Sequence, residues 1–216
     1  MMSWREVHDY SDFLKASDGP TEAATPMRFA SGLRLNEQGQ RECVRARWGF
    51  MGLKAKDPAG RPEHIHARAE TIDSKPTFRD AFANARGLLV VQTFNEGKEI
   101  TPTKTEQHTI SPRDAKPIGI AVLWERWTNR NEGELLTFVM VTTPANKLIG
   151  TITDRMPAVV APEYWAKWLG EEPATLEELR ALLQPFEGDW DMEAEFKPSK
   201  TRPQRPKKPD QQFDLF

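Results

Sequence analysis

Three short apolar runs rich in β-branched residues, at positions 88–94, 118–124 and 135–143, limit what this chain can become. Each is bounded by polar residues and is too short for a typical helix, so each reads as a strand. Asn131, Glu132 and Gly133, between the second and third runs, suggest a hairpin connection. Helix signals are interspersed. Thr175 and Glu178 have capping-box spacing, and Leu176, Leu179, Leu182 and Leu183 then share one face until Pro185 ends the run. Residues 162–170 begin with Pro162 and end with Gly170, as a short helix should. Residues 74–86 put Phe78, Ala81, Phe82 and Ala85 on one stripe, with Gly87 as the expected stop. Val7, Tyr10, Phe13 and Leu14 are also helix-spaced, before a break at Gly19 and Pro20. No regular βαβ period and no internal repeat is present. The expected class is therefore α+β, not a doubly wound sheet.

Composition narrows the field further. A length of 216 residues suits one domain, or one domain with an appendage, and 38% apolar residues with seven Trp and eleven Phe can build a core. No run approaches the ~18 apolar residues of a membrane span, and no basic–apolar signal pattern opens the chain. The single Cys43 excludes an intramolecular disulfide and a multi-Cys zinc site, so the expected compartment is the reducing cytoplasm. A net charge of −2 gives no global basic field of the kind that drives non-specific nucleic-acid binding. Residues 1–195 read as the folded domain. Residues 196–216 form a tail whose stretch 197–209 is basic, Pro-rich and almost free of apolar side chains, the composition of a disordered, extended tether.

Several stretches, taken in order, resemble the SOS response-associated peptidase (SRAP) family: Arg47-Trp-Gly-Phe50, Ala67-Arg-Ala-Glu-Thr71 followed by Lys75-Pro-Thr-Phe-Arg79, Phe94-Asn-Glu96, Leu123-Trp-Glu-Arg-Trp127, Thr142-Thr-Pro-Ala-Asn146 and Asp154-Arg-Met-Pro157. The resemblance implies a strongly curved, barrel-like mixed or antiparallel sheet with peripheral helices and a groove for single-stranded DNA. It also implies a chemistry. Family members carry Cys directly after the initiator Met, and its amine and thiol condense with the aldehyde of an abasic deoxyribose to give a thiazolidine. An Asn positions the sugar, a Glu and a His move protons, and Arg side chains grip the flanking phosphates.

Carried over residue by residue, that chemistry looks dismantled. Met2 stands at the Cys position, and a thioether has no thiolate form with which to close the ring. His66 stands at the Asn position, with Arg68 and Glu70 retained. Thr153 stands at the His position, and its hydroxyl can hydrogen-bond but cannot deliver a proton near neutral pH. Glu96 is retained as a remnant acid or base, although its neighbours are now Asn95 and Gly97. Cys43, far from the N-terminus and just before a strand-like run, is not a relocated nucleophile. Arg68 and Arg155 are the candidates for phosphate contact, because guanidinium forks match phosphate oxygens; the alternative is pairing with Glu70 and Asp154. Trp48 and Trp124 could stack on bases, against the commoner fate of Trp as core. His64 and His66 would point to one face of a strand, but no third ligand accompanies them, so neither a metal nor a cofactor is expected. The Met1 α-amine, with a reference pKa of ~7.7–8.0, could form an imine with an abasic aldehyde.

The last residues, Gln212, Phe213, Asp214, Leu215 and Phe216, resemble the bacterial sliding-clamp binding pentapeptide. Leu215 and Phe216 can fill adjoining apolar pockets while the Gln212 amide bonds at the rim. The expected function is therefore binding of single-stranded or abasic DNA in the SOS damage response, with covalent crosslinking impaired at Met2. One alternative is an active abasic-site enzyme that uses the Met1 amine and Glu96. Another is a non-catalytic replication-clamp adaptor.

Overall fold

A computed structural model describes residues 24–51, 64–129 and 133–195. The N-terminal helix pattern, Met1, Met2 and the whole of the 196–216 tail lie outside the described residues. Strands β1 (Phe29–Leu35) and β2 (Arg41–Trp48) form an antiparallel hairpin. Asn36 closes its turn by accepting hydrogen bonds at Oδ1 from the backbone N–H groups of Gln38 and Gln40. The other edge of β1 meets β4 (Arg86–Val91), β4 meets β7 (Ile118–Asn129), and β7 meets β8 (Gly133–Pro144). Parallel pairing of β2 with β8 then closes the ring. The expected curved sheet is thus a closed five-stranded barrel, mixed because of that one parallel junction.

Shorter strands attach where the barrel strands run on beyond it. β3 (His66–Arg68) pairs parallel with β8, β9 (Arg155–Pro157) pairs antiparallel with β8, and β10 (Val159–Val160) pairs with β7. Ala158, between β9 and β10, bridges the splaying ends of β7 and β8: its carbonyl accepts from Ala121 N–H and its N–H donates to Val141. A separate antiparallel sheet has the order β11–β6–β5, made of β5 (Phe94–Thr101), β6 (Lys104–Pro112) and β11 (Trp190–Ala194).

Strand alternation divides the core in two. Leu89, Ile120, Val122, Trp124, Ala46, Phe138 and Met140 fill the barrel, and Phe94, Ile110 and Trp190 of the small sheet join the same cluster. Leu88, Ala121, Leu123, Val139 and Val141 face outward, against Phe78, Phe82, Trp165 and Trp168. The helices are α1 (Arg79–Asn84), α2 (Trp165–Leu169) and α3 (Leu176–Ala181). Helix α3 opens with the expected capping box, and α2 ends at Gly170 with φ of 102°. No helix among the described residues is long and apolar enough to cross a membrane.

Several expectations need correcting. Residues 88–94 are not one strand: β4 ends at Val91, and Phe94 begins β5 in the other sheet. Gly87 does not terminate a helix. It lies inside β4, because the indole of Trp124 crosses the barrel over it and over Gly32. A Cβ at either glycine would overlap that indole, and on the outer side the Gly87 carbonyl accepts from Trp168 Nε1 at 2.8 Å. Trp124, 2% exposed, is core and not a platform for bases. Cys43 lies within β2 rather than before a strand.

Replacing Gly87 by Ala should therefore cost about 3 kcal/mol, since neither the indole nor the strand can retreat. Gly150→Ala, with nothing within 4 Å of the added methyl, should stay within ~0.5 kcal/mol of the parent. Urea unfolding of both variants checks the pair.

Candidate functional site

His66, Arg68, Glu70 and Arg155 come together at the far end of β8. His66 pairs with Met140 and Arg68 with Thr142 on one edge, while Pro157, Met156 and Arg155 face Thr142, Thr143 and Pro144 on the other. Alternation along β3 buries Ala67 and leaves His66 and Arg68 exposed on one side. The short 3-10 turn Ala69–Thr71 follows at once and carries Glu70 back toward Arg155. That turn is anchored by Arg180 of α3, which donates to the Glu70 carbonyl at 3.3 Å and to Asp73 Oδ2 at 3.0 Å.

Arg155 binds Glu70 with both terminal nitrogens, and its Nη2 also donates to the carbonyl of Thr142 at 2.7 Å and to its hydroxyl at 3.2 Å. The expected alternative of internal pairing therefore holds for Arg155 with Glu70, and Asp154 takes no part in it. This hydrogen bonding holds the Glu70 carboxyl below the usual carboxylate range. Arg68 makes no hydrogen bond or ion pair among the described residues, which leaves its fork open to solvent.

His66 is held below the usual imidazole range, by desolvation first and then by the charge of Arg155, so its ring is neutral at pH 7. It lies tilted against Trp48 with ring centroids 5.9 Å apart. Trp48 is fixed by an Nε1 hydrogen bond to the Ile65 carbonyl at 2.8 Å and by stacking on Phe138. His64, by contrast, packs edge-on against Phe78. The two imidazoles thus serve different neighbours, and no group of three or more His, Cys, Asp or Glu side chains among the described residues could hold a metal ion.

Glu96 lies in β5 of the small sheet. Phe94, two residues away on the same face, enters the barrel cluster, and burial pushes the Glu96 carboxyl up to about 7. Thr153 lies half-buried in the turn after Ile149–Thr151, its N–H donating to the Ile149 carbonyl. Sequence reading assigned no role to Thr142, the hydrogen-bonding seat of Arg155, or to His108, which faces Glu96 across β5 and β6. Both depend on strand register, which the residue pattern alone does not supply.

A raised carboxyl pKa means that the folded state binds the proton more tightly than the unfolded chain does. The stability associated with Glu96 is therefore complete below the unfolded value near 4.5 and is lost as pH rises through about 7. Glu96→Gln should match the parent at pH 4 and exceed it by about 1–3 kcal/mol at pH 8. Chemical denaturation at the two pH values checks this, and equal stabilities at pH 8 would contradict the burial of the carboxylate.

Comparison with known proteins agrees with the geometry. Residues 11–198 match the family described as SOS response associated peptidase (SRAP). The abasic site processing protein YoqW of Bacillus subtilis is 32% identical over 160 residues, which span 74% of this chain and 71% of YoqW. The abasic site processing protein YedK of Escherichia coli is 28% identical over 112 residues, 52% of this chain and 50% of YedK. A crystal structure of a Bacteroides thetaiotaomicron protein superimposes with a TM-score of 0.67 at 25% identity, covering 77% of this chain and 74% of that one. One from Bordetella bronchiseptica, at 22% identity, shares the fold with a TM-score of 0.68 over 84% and 90% of the two chains. With a match over most of its length and a relative above 30% identity across more than two thirds of both sequences, the chain belongs to the SRAP family.

Proposed function

We propose that this protein binds single-stranded DNA at abasic sites in the cellular response to DNA damage, and that it does so without the covalent step of its family. The observation that carries this reading is the arrangement at β8: an Arg68 fork without a partner among the described residues, beside a neutral His66 and a fixed Trp48. Arg68 offers two parallel N–H donors to a phosphate. His66 and the exposed part of Trp48 offer an uncharged, flat wall to a sugar without a base or to its neighbour. The names of the similar proteins, which are abasic site processing proteins, support the choice of lesion. Arg155 is a second phosphate contact only if it gives up Glu70. At rest it is held by Glu70 and Thr142.

The covalent step is impaired because Met2 carries a methylated sulfur, while His66 and Thr153 replace the Asn and His of the family pattern. Enzymatic processing through the Met1 amine and Glu96 is the second reading, favoured by a Glu96 carboxyl poised near neutral pH. The tail reading goes with either: Gln212, Phe213, Asp214, Leu215 and Phe216 dock on a bacterial sliding clamp, and the basic spacer follows the DNA threaded through it. Both the tether and the domain are assigned to the cytoplasm.

Fluorescence anisotropy on a labelled single strand with one abasic site tests the groove. Arg68→Ala should weaken binding several-fold regardless of flanking sequence and lower the salt slope by about one. Unchanged affinity would remove Arg68 from the groove. Deleting residues 212–216 should abolish pull-down by a sliding clamp without shifting the melting temperature, and retained pull-down would remove the peptide from consideration.

A further inference from the structure

Where the chain enters β1, two residues stand opposite one. The regular register of β1 against β2 begins with Phe29 opposite Arg47. One step further out, Trp48 donates its N–H to the Arg28 carbonyl at 2.9 Å, but its own carbonyl accepts from Met27, at 2.8 Å, and not from Arg28. Met27 and Arg28 thus share the single partner Trp48, and Met27 has a φ of 68°. This is a β-bulge of the kind whose first position is normally glycine. The turn leading into it closes with the Arg28 N–H on the Thr25 carbonyl at 3.1 Å. Pro26 at its second position and the positive φ at its third are the pattern of a type II turn. A left-handed backbone at a methionine is strained, and such strain persists only where surrounding bonds over-determine it. Its effect here is to fix Arg28 directly across from Trp48.

Alternation then settles which face Arg28 occupies. Ala30, Val44, Ala46 and Trp48 all belong to or pack against the barrel cluster, and Arg28 continues that face beyond the barrel's end. Arg28 is exposed and makes no side-chain hydrogen bond or ion pair among the described residues. His66 and Arg68 lie past Trp48 in the other direction: Trp48 is in register with Phe138, His66 with Met140 and Arg68 with Thr142. Four residues of β8, about 13 Å, separate the levels of Trp48 and Arg68, and Arg28 sits one strand, about 5 Å, to the side of Trp48. The two guanidinium groups therefore flank the ring surface of Trp48 and His66, at a separation that suits different phosphates. We propose that Arg28 is a second phosphate-binding residue, so that a single strand runs from Arg68 across His66 and Trp48 to Arg28. The proposal rests on the abasic-DNA reading above and extends it from one contact to a path. A fork at each end holds the backbone, and the flat rings between them accept a bare sugar or any neighbouring base. Arg45 supplies a built-in comparison. It is exposed on the same hairpin, opposite Ser31, but between Val44 and Ala46 and so on the other face of the sheet.

The test is fluorescence anisotropy of the full chain on a labelled abasic single strand over a series of salt concentrations. Arg28→Ala should weaken binding several-fold and lower the salt slope by about one, and Arg28→Ala combined with Arg68→Ala should lower it by about two. Arg28→Lys keeps the charge but loses the fork, so it should restore most of the slope and only part of the affinity. Arg45→Ala, which removes the same charge from the opposite face, should leave both at the parent values. Shortening the strand on one side of the lesion should abolish the effect of Arg28→Ala while keeping that of Arg68→Ala, and shortening it on the other side should do the reverse. Parent affinity and slope in Arg28→Ala, beside a loss in Arg68→Ala, would overturn the path and leave the Arg68 reading standing. An equal loss in Arg45→Ala would also overturn it, by showing a general effect of charge. A parent chain that binds no strand at low salt would overturn the reading on which the path rests, and the path with it.

Discussion

Strand β8 makes hydrogen bonds along both edges for most of its length, and the rest of the molecule follows from how it divides them. One edge pairs first with β7 and then with β9; the other pairs first with β2 and then with β3. The first pair of partners closes the barrel, and the second builds the candidate groove. Because a shift of one residue exchanges the two faces of a strand, the barrel packing also fixes which side chains of β3 look outward. Phe138 and Met140 inside the barrel thereby determine that His66 and Arg68 stand together on the surface.

This explains which parts of the structure could be read from the residues. Strands β7 and β8 were legible because both faces are buried, one by the barrel interior and one by helices, which makes them continuous apolar runs. The capping box at Thr175 and the left-handed Gly170 were legible because they are local. Strand β2 was hidden because Arg41, Glu42, Arg45 and Arg47 interrupt its apolar positions, and Arg41 reaches across the fold to pair with Glu171. Strands β5, β6 and β11 were hidden for a similar reason: each places only one or two apolar residues in the core and is otherwise polar. The break between β4 and β5 has no signal at Gln92 and Thr93, because only the three-dimensional fold sends Phe94 to another sheet.

The site was legible in part. Motif order located Arg68, Glu70 and Arg155, but not the division of labour between the two arginines. Arg155 is held by Glu70 and Thr142 while Arg68 is open, a difference made by the register of β9 against β8. The electrostatics likewise come from packing. Desolvation and the nearby Arg155 keep His66 neutral, and burial beside the barrel cluster keeps Glu96 protonatable near pH 7. Among the described residues, the end of β8 therefore presents an open Arg68 beside the Arg155–Glu70 pair and the ring of His66.

The central claim is that this scaffold grips an abasic strand without joining itself to it. The most direct measurement incubates the full chain with an abasic single-stranded oligonucleotide, without reductant, and resolves the mixture on native and denaturing gels. The account predicts a retarded complex on the native gel and none after heat and detergent. A conjugate that forms spontaneously and survives denaturation would contradict it.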